Sequence, residues 1–446
     1  MNRVILAVVV IAISYTSKAS SKLDDHQWLI EFIEKNEIVP IRNEPKLLDA
    51  QYELGQALFF EKLLSTNKDT ACSTCHLVNS HTSDSLRKAI GAGGHNLGAL
   101  RIAGKDTEPL DRNTQALFNL DNNEVKNLFW DGRVEVDLQG PIKFLTPLGK
   151  HIPLGLENAL AAQSLIPIIS NSELKSHTCY LVGREQNYCK KLYESFESVN
   201  ESIWNLAYLS FIQHRLIGHS DNKDLSSIQK KYRKLFKLAY PNKSNFTASD
   251  LANALARYQE IAFATRDTPW DKFLKGSESI SDTEAEGARL FYGKYRCNNC
   301  HSNTLFSDFD FHSIGIVSHK KDKSIDKGRF EITGNLKDFL KFRTPSLRNV
   351  TLTAPYMHDG SIESLEQAIG KHFTGCALEN DYYEVCIETV FKYKEIIQPN
   401  EVLKLIAFLK FLEDKSHIID DDIVPFTVPS GLGIDDLIPA SANKIK

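Results

Sequence analysis

The chain has 446 residues, 42% of them hydrophobic and 25% charged, which is enough for two or three domains with sizeable cores. A net charge of -4 and the lack of any basic cluster with interleaved aromatics exclude nucleic acid as the expected partner.

The first element is an export signal. Arg3 precedes an apolar run over 4–13, and Ser17-Lys18-Ala19 supplies small residues around a cleavage site. Ten apolar residues suit a signal-peptide core, whereas a membrane span needs about 20. Residues 1–19 are therefore expected to be removed, which would leave a periplasmic protein without a membrane span.

A helix is predicted around Leu54, Ala57 and Leu58, whose i, i+3, i+4 spacing forms one apolar face. Directly after it comes Cys72-Ser-Thr-Cys-His76. The same Cys-x-x-Cys-His spacing returns at Cys297-Asn-Asn-Cys-His301, again behind a helix, here opened by the capping-box pair Ser281 and Glu284. Gly55/Gly287, Leu58/Leu290, Phe59/Phe291, Phe60/Tyr292 and Lys62/Lys294 align between the two approaches, which points to duplication of one unit.

Three chemistries compete for this motif: zinc ligation, a redox-active dithiol, and thioether attachment of a haem whose iron the adjacent His binds. Zinc would have to combine distant half-sites and leaves both histidine positions unexplained. An oxidising compartment also gives the other cysteines a use, because Cys179/Cys189 and Cys376/Cys386 each lie ten positions apart and could close short disulfide loops. Two covalent c-type haems are the preferred reading, on Cys72/Cys75 and Cys297/Cys300, with His76 and His301 on iron.

Further helices are predicted over 160–169, 250–264 and 401–412, separated by long polar loops such as 91–109 and 132–153. The stretch after Lys415, with its Asp420-Asp-Asp422 run and clustered Pro and Gly, reads as extended.

Phe342-Arg-Thr-Pro-Ser-Leu-Arg-Asn-Val-Thr-Leu-Thr-Ala-Pro-Tyr-Met-His-Asp-Gly360 resembles the signature of bacterial di-haem cytochrome c peroxidases and the related MauG proteins. Arg112-Asn-Thr114, Phe129-Trp-Asp-Gly-Arg133 and Gly328-Arg-Phe-Glu-Ile-Thr-Gly334 match further signatures in the expected order. The resemblance implies a mostly α fold of two cytochrome-c-like haem domains joined face to face, with long loops. The expected divisions are 20–275 for the peroxidatic domain, 276–415 for the electron-transfer domain and 416–446 for the tail.

The same resemblance implies that hydrogen peroxide is reduced at the first haem. Electrons from a small cytochrome c or copper protein would reach it through the second haem and a tryptophan, here Trp130. It also implies a calcium ion held by the Asn113 side chain and the carbonyls of Thr353 and Pro355, and it is compatible with a homodimer. Oxygen ligands suit that hard cation. A glutamate over the peroxidatic haem is expected; an insertion displaces the corresponding segment and nominates Glu173, a general acid/base if it lies within reach of the peroxide.

Two positions depart from the family pattern. The histidine that caps the resting first haem in many relatives falls at Ala92, with His81 and His95 nearby; an open site, as in MauG-like members, is favoured. The methionine expected fourteen positions after His358 is replaced by His372. The second iron is therefore expected between His301 and His372, with Met357 as the alternative ligand and with His312 and His358 as pocket residues. The runner-up function is a MauG-like oxidase acting on a protein substrate.

Overall fold

The computed structural model describes residues 24–43, 47–105, 107–137, 139, 143–175, 201–218, 224–374, 396–414 and 423–435. The signal peptide and the cysteines at 179, 189, 376 and 386 lie outside the described residues.

The fold is mostly helical. In chain order the helices are α1 Asp25–Lys35, α2 Ala50–Phe59, α3 Cys72–Cys75, α4 Ala159–Ile169, α5 Glu201–Ile217, α6 Ser227–Ala239, α7 Ala248–Ala262, α8 Pro269–Leu274, α9 Asp282–Arg289, α10 Phe330–Thr333, α11 Leu365–Lys371 and α12 Pro399–Lys410. The three long helices expected from periodicity are α4, α7 and α12. The starts are set by side-chain caps: Asp49 accepts from Tyr52 N at the head of α2, and the predicted Ser281–Glu284 box opens α9. Strands are short. β1 Asn127–Leu128, β2 Val134–Val136 and β3 Phe144–Leu145 form an antiparallel sheet, and β4 Phe311–His312 pairs with β5 Phe342–Arg343.

Two hydrophobic cores organise these elements. The first packs α2 against α7, with α4, α5 and α6 around them; Phe59, Phe60, Tyr258 and Phe263 form its aromatic centre. Gly55 sits where α2 meets α7, and a Cβ there would lie 1.9 Å from the Ala254 carbonyl oxygen. The second core packs α9 against α12 around Trp270, Phe291, Phe306 and Phe408. Gly287 repeats the device: its Cβ would lie 2.1 Å from the Lys404 carbonyl oxygen. The two glycines aligned from sequence thus perform the same task, close helix approach, in both halves.

Each core draws residues from both sides of position 275. α1 falls within 20–275, yet Leu29 is buried in the second core and Trp28 and Phe32 pack against it. The reason is aromatic complementarity: Phe32 meets Tyr292 at 5.1 Å between ring centroids. Trp270, also assigned to the first division, is central to the second core. Residues 423–435 form no helix or strand and return to the first core, where Ile423 and Val428 are buried. Among the described residues no helix is long and apolar enough to cross a membrane.

Candidate haem centres

In the first motif, α3 carries Cys72 and Cys75 and is followed by His76. His76 Nδ1 donates to the Thr82 carbonyl at 2.9 Å, which fixes the ring and leaves Nε2 as its ligand atom. Burial pushes the imidazole down to about 4, so it is neutral and able to donate to a metal. Burial, reinforced by the charge of Glu173, pushes the Cys72 thiol up to about 12 and raises Cys75 as well.

Glu173 follows α4, and its charge acts on both thiols, with that of Asp84 acting more strongly on Cys75. Burial raises its carboxyl above the ordinary range, and Arg133 and a Ser170 hydrogen bond partly offset that. The loop that positions it is held by the glycine-rich stretch: Ala92 N donates to the Glu173 carbonyl at 2.7 Å. A Cβ on Gly91 would stand 2.0 Å from the Ser172 carbonyl oxygen, so this contact requires glycine there. Of the other candidate ligands, His95 is exposed and paired through its backbone with Ile102, and His81 sits in a left-handed turn ending a short helical segment.

The second motif opens into an apolar cavity with about 1420 Å³ of empty space, its mouth included. Cys297, Cys300, His301, His372, Met357 and Trp130 all line it, as do His312 and His358. His301 Nδ1 donates to the Phe306 carbonyl at 3.1 Å, and His372 Nδ1 to the Ala368 carbonyl one turn back at 2.8 Å. Both rings therefore keep Nε2 as ligand atom. Their centroids are 6.4 Å apart. Two imidazoles sharing one metal at bonds of about 2 Å would have centroids about 6 Å apart. Burial lowers both pKa values, that of His301 to about 4.

The cysteine pairs and the anchored neutral imidazoles fit two covalent haems, and at the second motif the apolar cavity adds room for one. His358 contributes packing: it is buried, stacks on Phe342 at 3.5 Å and bonds Ser318 Oγ through Nε2 at 2.9 Å.

Trp130 lies between the two halves. Its indole N–H donates to the Asn113 carbonyl at 3.0 Å, and Arg343 grips the same turn by donating from its backbone N to Trp130 O and from Nε to Phe129 O. Gly132, at φ +68°, lets this turn pass Phe311, whose ring would lie 2.3 Å from an added Cβ. Asn113 N donates to the His358 carbonyl and its side-chain nitrogen to the Leu86 carbonyl, leaving the side-chain oxygen as its remaining ligand atom. Thr353 and Pro355 lie in the segment leading to His358.

Sequence reasoning missed the ion network under Trp130. Arg112 donates from Nε and Nη2 to both Asp326 oxygens at 2.7 Å, and from Nη1 to Asp131 at 2.5 Å. Arg112 and Asp131 stand inside quoted motifs, but nothing in the spacing pairs residues 19 and 214 positions apart.

A family model described as di-haem cytochrome c peroxidase matches residues 49–279. The methylamine utilization protein MauG of Methylorubrum extorquens is 26% identical over 81% of this chain and 79% of its own. The cytochrome c551 peroxidase of Pseudomonas aeruginosa is 24% identical over 87% and 86%. Among solved structures, a MauG-like protein associated with microbial copper homeostasis superposes with a TM-score of 0.58 at 24% identity, covering 87% of this chain and 96% of that one. The diheme peroxidase BthA of Burkholderia thailandensis gives 0.54 at 16% identity, covering 94% of each. At these identities the structural likeness establishes the fold alone.

Proposed function

We propose that this chain, which belongs to the di-haem cytochrome c peroxidase family, reduces hydrogen peroxide to two waters, taking two electrons from a small cytochrome c or copper protein and two protons. The family makes it an oxidoreductase and implies two c-type haems. The observation that carries the reading is a carboxyl, Glu173, raised by burial beside the first cysteine pair. Such a group binds a proton more readily than an ordinary carboxylate and can release it again, as a group that carries a proton from one peroxide oxygen to the other must.

Cys72, Cys75 and His76 would hold the first haem; Cys297, Cys300, His301 and His372 the second. When bound, the haems supply the iron redox chemistry. Glu173 moves a proton from the inner to the outer peroxide oxygen so that water can leave. Trp130, held by Asn113 and Arg343, provides the aromatic bridge for electrons arriving from the second centre. Asn113 with the Thr353 and Pro355 carbonyls would bind calcium, joining the turn that carries Trp130 to the segment before His358. Export by the leader over 1–19 would place the reaction in the periplasm, where thioether and disulfide bonds persist.

A second reading, MauG-like oxidation of a protein substrate, draws on the facing His301 and His372. Two imidazoles favour ferric iron more than imidazole plus methionine does. Mass spectrometry of the mature chain should show two covalent haems, and steady-state turnover of peroxide with a reduced donor protein should be sustained. A two-haem protein that consumes peroxide only with a protein substrate present would favour the second reading; a protein without haem would end both.

A further inference from the structure

The C-terminal segment 423–435 crosses the first core and ends on the haem motif itself. Ile423 and Val428 are buried, and the Ile423 carbonyl accepts from Gln56 and Tyr258. Farther along, Ser430 N donates to Glu61, a buried carboxylate that also accepts from Tyr232. These contacts deliver Asp435, itself buried, to a position beside α3. One of its oxygens accepts from Thr74 Oγ at 2.6 Å, and the other pairs with Lys62 Nζ at 2.6 Å. Thr74 is one of the two residues between Cys72 and Cys75, is fully buried, and its hydroxyl also accepts from Ala71 N at 2.8 Å. The equivalent residue of the second motif, Asn299, donates its backbone N–H to the Arg296 carbonyl just as Thr74 does to the Ala71 carbonyl, so among the described residues it is the side-chain bond to Asp435 that sets the first motif apart. The tail thus treats the two duplicated motifs differently.

We propose that Asp435 is a positioning residue for the first haem, locking through Thr74 the turn that bears Cys72, Cys75 and His76 and, with Lys62, setting the electric field at that centre alone. The inference rests on the di-haem reading above. Reduction adds an electron to the iron, so a carboxylate close by opposes it and an ammonium favours it. Both lie in a buried setting where charges are weakly screened. The opposed signs separate an electrostatic role from simple loosening of the turn.

The test is spectroelectrochemical titration of both haems in the full mature chain, for the native protein, Asp435→Asn and Lys62→Met. Asp435→Asn should shift the potential of the first haem upward, Lys62→Met should shift it downward, and the second haem should stay unchanged in both. Covalent haem mass is measured first on the native protein, so a failure of the di-haem reading is seen independently. With two haems present, unchanged potentials in both variants, shifts of the same sign, or equal shifts at both haems would overturn the role. Asp435→Asn separates the two roles, since water entering a loosened site favours ferric iron and lowers the potential, whereas loss of the carboxylate raises it; should that variant fail to accumulate, an unchanged or raised potential in Lys62→Met would still overturn the role.

Discussion

His301 and His372 present their rings to one another across the second cavity at 6.4 Å, each with Nδ1 already committed to a backbone carbonyl. His372 reaches this place because it caps α11, where its bond to Ala368 turns the ring back along the helix. Met357 lines the same cavity from a left-handed backbone position, φ +75°, and is the competing ligand. The ferric second haem is expected to be low-spin without a methionine-type near-infrared band. His372→Ala should remove the low-spin signal in EPR, and His372→Met should raise the potential. A methionine band that persists in His372→Ala would assign Met357 instead.

Glu173→Gln keeps the shape of the side chain and removes its acid. Peroxide cleavage should slow by about 10²–10⁴-fold while both haems remain attached. Because burial raises this carboxyl and it must begin deprotonated to accept the peroxide proton, the native acid limb of kcat/KM should lie above the ordinary carboxylate range and should disappear in the variant. Stopped-flow mixing with peroxide across pH reads both effects; an unchanged rate would place the proton-transfer group elsewhere.

Trp130→Phe preserves an aromatic body but removes the N–H that bonds Asn113. Losing one such bond costs about 1 kcal/mol, small for a chain this size. The first reaction with peroxide should therefore survive while electron transfer between the haems slows. Single-turnover kinetics starting from the half-reduced protein separate the two steps, and equal inter-haem rates would reject the bridge.

The repeated motif, its two leading glycines and the positions of α4, α7 and α12 were legible because each is local: a five-residue spacing, a close-contact residue or an apolar period. His372 was legible only through counting against a family pattern. The partners of Asp435 and Asp326 were not legible, since Thr74–Asp435 spans 361 positions and Arg112–Asp326 spans 214. Nor was the placement of α1 in the second core, because the contacts that hold it there join distant positions, Phe32 with Tyr292 and Asp25 with Arg289. Side-chain pairing across a fold has no period to read.

Asp326 is fully buried, and burial by itself would raise its carboxyl; the bidentate bonds and charge of Arg112 outweigh that and hold it down at about 2. A carboxyl depressed in the folded state stabilises the fold above its unfolded value near 3.8 and loses that contribution as pH falls toward 2. The shift corresponds to about 2 kcal/mol at neutral pH. Asp326→Asn removes one partner of a buried pair and should cost about 3–5 kcal/mol at pH 7. Since Asn does not titrate, the gap between native and variant should narrow by about 2 kcal/mol between pH 4 and pH 2. Urea unfolding at a series of pH values, followed through the haem absorbance, measures that gap; a difference that stays constant down to pH 2 would mean that Arg112 does not hold Asp326 ionised.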